Sequence, residues 1–369
     1  MNGGISMYIH TFEIKKQISK EQSHKIQEVL RMDKDKWKGE ETGMSYWGLS
    51  DKGILIHTYL LKKKGYYSYF IIYRISAQRV IENDNFVGLF NTRNYGTLKN
   101  KVDRLLKAKS EHLPLIDDCK LSRFDLCINA ELINQEQVKA YIKMARRAII
   151  PKYLKQRVYY DKVSKRTKPL KDDMSVYSNN YIEISIYNKF KQMKKEEKEI
   201  YSDKDFKAAE NIVRIEIRCM KKKLKELKKK FDVKTTDDFM RNADKIGRYL
   251  YKYYLSEMFG TGEIFTLKEV KERLALGDLK PKNVEALTEF LEFANEVRSV
   301  NKAYEIYCEA DGKKITRDIL NKFNYINTSY VTIPARDEKI FSGLCCLSPL
   351  DLVAECLDLE DDWRYSDDY

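Results

Sequence analysis

Tyr187 closes the segment Tyr181-Ile182-Glu183-Ile184-Ser185-Ile186-Tyr187-Asn188-Lys189, and a tyrosine hydroxyl at the end of a polar strand face is a candidate nucleophile. Ile182, Ile184 and Ile186 alternate with Glu183, Ser185 and Tyr187, the period-two pattern of a half-buried strand. Two further segments share the design. In Arg123-Phe124-Asp125-Leu126-Cys127-Ile128-Asn129, Phe124, Leu126 and Ile128 face one way and Asp125 and Asn129 the other. In Val213-Arg214-Ile215-Glu216-Ile217-Arg218 the aliphatic residues face one way, with Arg214, Glu216 and Arg218 opposite. Paired side by side, these strands would present a tyrosine, carboxylates and arginines on one face. That set suits phosphate chemistry.

A tyrosine that attacks a phosphodiester stays joined to the strand, and the aryl phosphate ester keeps the bond energy for a later reversal. The phenol pKa is about 10, so a cation nearby is needed to favour the phenolate. Asp125 and Glu216 are the candidate ligands for that cation, and hard oxygen donors select Mg²⁺ or Mn²⁺. Lys189, two residues past Tyr187, is expected on the same strand face about 6–7 Å along the chain. From there it would touch the phosphate or assist proton transfer to the leaving oxygen. Arg123, Arg214 and Arg218 would bind the non-bridging phosphate oxygens. Each role has an ordinary counterpart: Tyr187 is one of 26 tyrosines, Glu216 between two arginines suits surface ion pairs, and Glu183 reads as a third ligand or a solvated glutamate.

The elements that must position these residues define an α+β fold: a twisted antiparallel sheet with helices on its apolar face, as one sheet or two saddle-like halves, and a helical C-terminal region. Ile54–Leu61 and Tyr66–Ile75 read as a hairpin across Lys62-Lys63-Lys64-Gly65. Helices are expected at Ser19–Leu30, Leu98–Leu106, Asn134–Ala148 and Phe190–Glu210. Val158–Tyr181, with Pro169 and Asp172-Asp173, reads as a hairpin or loop. Thr266-Leu267-Lys268-Glu269 is a capping box opening a helix to Leu276, and Pro281 starts another through Val300. The pair is a packing unit or a helix-turn-helix. The expected division is an N-terminal α+β region (1–115), a nicking domain (116–232) and a helical domain with an acidic tail (233–369).

With 69 Lys and Arg against 56 acids, the 369-residue chain carries a formal charge of +13. The tail holds Asp358, Glu360, Asp361, Asp362, Asp367 and Asp368, so the body is more basic than the total. Such a body expects a polyanionic partner, nucleic acid first and an anionic membrane second. Met220–Phe231 is a lysine-rich helix on which Lys222, Lys225 and Lys229 either track a DNA backbone or form a solvated face. No apolar run is long enough to span a bilayer and no secretory leader follows Met1, so a cytoplasmic location is expected. Seven cysteines without a C-x-x-C pair read as reduced core thiols, and four scattered histidines exclude a zinc motif. A glycine-rich phosphate loop is absent, which excludes a P-loop ATPase.

Leu-Ser-Arg-Phe-Asp-Leu-Cys-Ile-Asn (121–129), Ile-Ser-Ile-Tyr-Asn-Lys (184–189) and Val-Arg-Ile-Glu-Ile-Arg (213–218) resemble, in order and spacing, the Rep_trans family of plasmid and integrative-element replication initiators. Replication proteins of filamentous phages share parts of the pattern. The resemblance covers residues 115–220 clearly and 50–115 loosely. It implies rolling-circle initiation by DNA nicking, with Tyr187 as nucleophile of a 5′-phosphotyrosine, Lys189 as the motif lysine, and Asp125 and Glu216 as metal ligands. It further implies a single-stranded or cruciform origin as substrate, a homodimer, and a host helicase of superfamily one. Ser185 replaces the arginine usual before Ile-Tyr, and Asn129 stands where some members carry a second aspartate. Those departures suit the rival reading of a non-catalytic DNA-binding regulator or inactive initiator homologue. A basic assembly protein that packs on an acidic partner is the third reading.

Overall fold

The computed structural model describes residues 7–40, 42–63, 65–83, 86–161, 166–169, 174–196, 201–309, 315–333, 337–341, 348–357 and 359. Asp172-Asp173, Cys345, Cys346 and the acidic tail lie outside the described residues. Among these residues the chain is α+β, with an eleven-stranded antiparallel sheet, a separate two-stranded hairpin and a helical C-terminal region. It divides into two compact units, each discontinuous in sequence. The first comprises 1–128, 180–182 and 216–247; the second comprises 129–179, 183–215 and 248–369.

The first unit contains β1 (Tyr8–Ile18), β2 (Trp37–Glu40), β3 (Gly43–Tyr46), β4 (Ile54–Lys63), β5 (Tyr66–Ser76), β6 (Phe90–Asn91) and most of β7 (Lys120–Glu131). The order is β2-β3-β4-β5-β1-β7, with β6 on β1. The expected hairpin forms in register, Lys63 opposite Tyr66 and Ile54 opposite Ile75. Gly65 (φ +84°) supplies the left-handed residue that a two-residue hairpin turn requires. Ile54, Ile56, Ile71, Tyr73 and Ile75 are wholly buried on one face, where helix Lys20–Arg31 adds Ile26 and Leu30. Ser19 starts that helix by accepting from Gln22 N, and Gln27 Nε2 donates to Thr58 Oγ1 at 3.0 Å, so the buried polar atoms pair. Helix Tyr95–Lys109 buries Leu98, Val102 and Leu106, and Tyr95 meets Phe12 edge-on.

The second unit holds β8 (Lys155–Gln156), β9 (Val158–Asp161), β10 (Arg166–Pro169), β11 (Met174–Ser178), most of β12 (Ile182–Asn188) and the first half of β13 (Ile212–Met220). β11 runs antiparallel to β12, with Met174 opposite Tyr187, and β9 pairs with β10. Helix Gln135–Ala145 is capped by Asn134 and packs on β11; Tyr177 Oη donates to Ala145 O at 2.6 Å. The C-terminal helices include Leu267–Leu276, whose Thr266 capping box forms as expected, and Pro281–Glu296.

Two expected elements differ. Phe190–Glu210 is two helices, Lys189–Glu196 and Asp203–Ala209, because Ser202 and Asp205 form a capping box that restarts the helix. The helix from Pro281 ends at Glu296 instead of Val300, where Arg298 turns to φ +54°, and Val300–Glu309 follows as a new helix.

Candidate active site

In the first unit, β7 presents Asp125 and β13 presents Glu216. Asp125 is wholly buried and Glu216 nearly so, which corrects the expectation of a wet polar face. The charges are enclosed because they satisfy one another. Arg123 Nε reaches both carboxylate oxygens of Asp125, at 2.8 and 3.1 Å, and its Nη1 reaches Glu13 Oε1 at 3.3 Å. Arg218 uses Nε on Asp125 Oδ2 (3.3 Å) and Nη2 on Glu216 Oε1 (2.9 Å). Arg74 Nε completes the chain on Glu13 Oε1 at 2.6 Å. Three carboxylates thus meet three guanidiniums. Burial, chiefly, pushes the Asp125 carboxyl up to about 6; the Glu216 charge adds to the rise and the two arginines oppose it.

Asp125 and Glu216 converge on one guanidinium, and that cation marks the kind of group their oxygens accept. Two hard carboxylates that share a cation fit a divalent ion of the Mg²⁺ or Mn²⁺ type. Among the described residues no group of three or more His, Cys, Asp and Glu side chains gathers as a metal site. Further oxygens would therefore come from water or a substrate phosphate. An ion there would also require Arg218 to leave the carboxylates, for which a phosphate is the natural alternative partner.

Helix Lys221–Lys230 follows β13 in the same unit. Leu224 and Leu227 are buried, while Lys222, Lys225 and Lys229 share the exposed face. Lys222 Nζ accordingly sits 4.3 Å above the Tyr181 ring and donates to its hydroxyl at 2.6 Å.

The second unit holds Tyr187, Lys189, Glu183 and Arg214. All of β12 is buried, Tyr187 at 7 % exposure included. Lys189 is not on the strand, as its spacing suggested; it opens helix Lys189–Glu196. Asn188 causes the change. Its Oδ1 accepts from Lys191 N at 2.9 Å, an N-cap bond, while its Nδ2 donates to Gln135 Oε1 at 2.8 Å. Lys189 is buried and its Nζ donates to Gln192 Oε1 at 2.9 Å. Glu183 is buried and paired with Arg157 Nη2 at 2.6 Å, so it is not a solvated glutamate. Arg214 is enclosed, and its Nε donates to Asn129 Oδ1 at 2.7 Å. The departure at position 129 thus has a partner inside the fold.

Sequence reasoning missed Glu13, Arg74, Arg157 and Gln135. Glu13 carried only a weak local signal, as the acid between the buried Phe12 and Ile14; alternation puts it on the opposite, polar face with Thr11, Lys15 and Gln17. Its partner Arg123 lies 110 residues away, beyond any local pattern.

Residues 74–242 match the Phage_CRI family, which represents the N-terminal part of a phage replication-associated protein. The match takes in Asp125, Tyr187, Lys189 and Glu216 together, spans a little under half of the chain, and supports kinship with a phage replication-associated family. No curated protein matches the chain. No helix among the described residues is long and apolar enough to cross a membrane.

Proposed function

We propose that this chain is a rolling-circle replication initiator that nicks and rejoins one DNA strand through a phosphotyrosine at Tyr187. The observation that carries the reading is the convergence of Asp125 and Glu216 on one guanidinium, within residues matched to a replication-associated family. Tyr187 Oη forms a bond to phosphorus as the bond to the 3′-oxygen breaks; the phenol proton passes to solvent, and Lys189 supplies the proton that completes the 3′-hydroxyl. Arg123 and Arg218 bind the non-bridging oxygens when they exchange carboxylate for phosphate. A divalent cation, Mg²⁺ or Mn²⁺, held by Asp125 and Glu216 would neutralise charge on that phosphate. The resemblance of the three motifs to plasmid and integrative-element initiators extends the proposal to a single-stranded or cruciform origin, a homodimer and a host superfamily-one helicase.

The experiment is incubation with labelled single-stranded DNA bearing the replicon's inverted repeat and Mn²⁺, followed by denaturing electrophoresis. The wild type should give an SDS-resistant adduct, and Tyr187→Phe, which removes only a hydroxyl, should give none while still binding DNA. An adduct in Tyr187→Phe would move the nucleophile to another tyrosine, with Tyr177 and Tyr181 nearest in sequence. Wild-type activity that survives EDTA would remove the metal and leave the tyrosine. A second reading, a DNA-binding regulator that does not nick, draws on the arginines that already occupy both carboxylates and on Ser185. Salt-sensitive binding without any adduct would establish it.

A further inference from the structure

We infer that the half-exposed face of the first unit's sheet is a platform for single-stranded DNA, with Tyr59 and Phe70 as the stacking surface and lysines as the phosphate contacts. The inference deepens the proposed function and rests on that reading. Side chains alternate along a strand, so the residues between the buried Ile54, Ile56, Ile71, Tyr73 and Ile75 share the opposite face. Strand register brings them into rows. One row runs Lys38–Ser45–His57–Ile72–Lys15–Lys120 across β2, β3, β4, β5, β1 and β7, with a lysine at each end and one within. The next row holds Gly43, Tyr59, Phe70 and Gln17.

Tyr59 and Phe70 stack at 5.2 Å between centroids and 24° between planes. Lys15 Nζ lies over both rings, 3.7 Å from the Phe70 centroid and 4.7 Å from the Tyr59 centroid, and also bonds Tyr59 Oη. Aromatic faces with an ammonium beside them are what a nucleotide uses: the base stacks and its phosphate takes the cation. A duplex keeps its base faces inside and cannot use the rings, which selects the single strand. At the hairpin tip the pair Lys63–Tyr66 falls on the same face, with Tyr66 79 % exposed, so a lysine beside an aromatic ring recurs there. On the other side of the lysine row, Arg74, Glu13 and Arg123 lead to Asp125. The platform therefore borders the carboxylates proposed to act on the strand.

The test measures anisotropy of a labelled oligothymidylate of about twenty nucleotides and of a mixed-sequence duplex, across a salt series. The variants are Tyr59→Leu with Phe70→Leu, which keeps apolar bulk but removes the stacking faces, and Lys15→Gln. The double variant should lose about tenfold or more in affinity for the single strand, a conservative value for two stacking side chains, with duplex affinity within about twofold of the wild type. Lys15→Gln should flatten the single-strand salt slope by about 0.7. Wild-type single-strand affinity in the double variant, or equal losses on single strand and duplex, would overturn the platform while leaving DNA binding intact. If thermal melting shows the double variant unfolded, Lys15→Gln decides: an unchanged slope overturns the platform. A wild type that binds neither DNA would sink the proposed function itself.

Discussion

Arg218 and Lys225 stand a few residues apart in sequence and carry the same charge, yet they sit in opposite physical regimes. Arg218 belongs to an enclosed network in which Asp125 and Glu216 occupy its guanidinium. Lys225 is exposed on a helix whose only buried contributions are Leu224 and Leu227. In the enclosed network the buried carboxylates of Asp125 and Glu216 cost several kcal/mol to desolvate and are held by their arginine partners, so geometry is set and removal of a buried member is severe. On the exposed helix the charge is screened within about 8–10 Å and adds little to folding, but it remains available to a polyanion. The first region determines where a phosphate would be handled. The second determines how strongly, and how salt-sensitively, the strand is held.

The largest expected effect comes from Asp125→Ala, which leaves Arg123 and Arg218 without their common acceptor in a buried site. It should cost about 3–5 kcal/mol in urea unfolding and abolish the adduct. A loss under about 1 kcal/mol would mean that water reaches the cluster and that the contrast with the lysine helix is false. Glu216→Ala should rank beside it for the adduct, while Glu183→Ala, whose partner Arg157 is largely exposed, should leave more activity.

A smaller effect is expected with pH. The Asp125 carboxyl is held near 6, above its unfolded value of 3.8, so between those values the folded chain binds a proton that the unfolded chain does not. This group's contribution to stability therefore rises as pH falls from about 6 towards 4, and is least favourable above 6. Unfolding midpoints of wild type and Asp125→Asn should diverge across that window. Parallel curves would place the titration elsewhere.

The smallest effect on folding is expected from Lys222→Gln, Lys225→Gln and Lys229→Gln together. Stability should stay within about 0.5 kcal/mol per site. The salt slope of duplex binding should flatten by up to about 2.7, three contacts at 0.9 each. An unchanged slope would reduce that helix to a solvated face and leave binding to the sheet.

The contrast also explains what was legible in the amino-acid sequence. Strand identity around Asp125, Tyr187 and Glu216 was readable because period-two alternation is local, and so were the Ser19 and Thr266 caps. Burial of the polar faces was not readable, because a charged residue reads as wet until its partner is known, and Asp125 finds Arg218 93 residues away. Lys189 was misplaced for a local reason. Asn188 is compatible with a strand end and with a helix cap, and only its bond to Lys191 N decides between them.

The position of β1 carries one more consequence, for the order in which the molecule assembles. β4 and β5 are joined by a tight turn and can zip within microseconds. β1, made earlier, has β5 as one neighbour, but its other edge waits for β7, and Glu13 waits for Arg123. The carboxylate network needs Arg218 as well, so on a translating ribosome some 205 residues, or about 10–40 s, separate its first member from its last. Pulse-labelled hydrogen exchange should find the β4–β5 amides protected before those of β7. Until that closure the nascent chain holds a formed hairpin and an unpaired strand edge, so the hazard during synthesis is edge-to-edge association, and the network proposed to act on DNA is completed late.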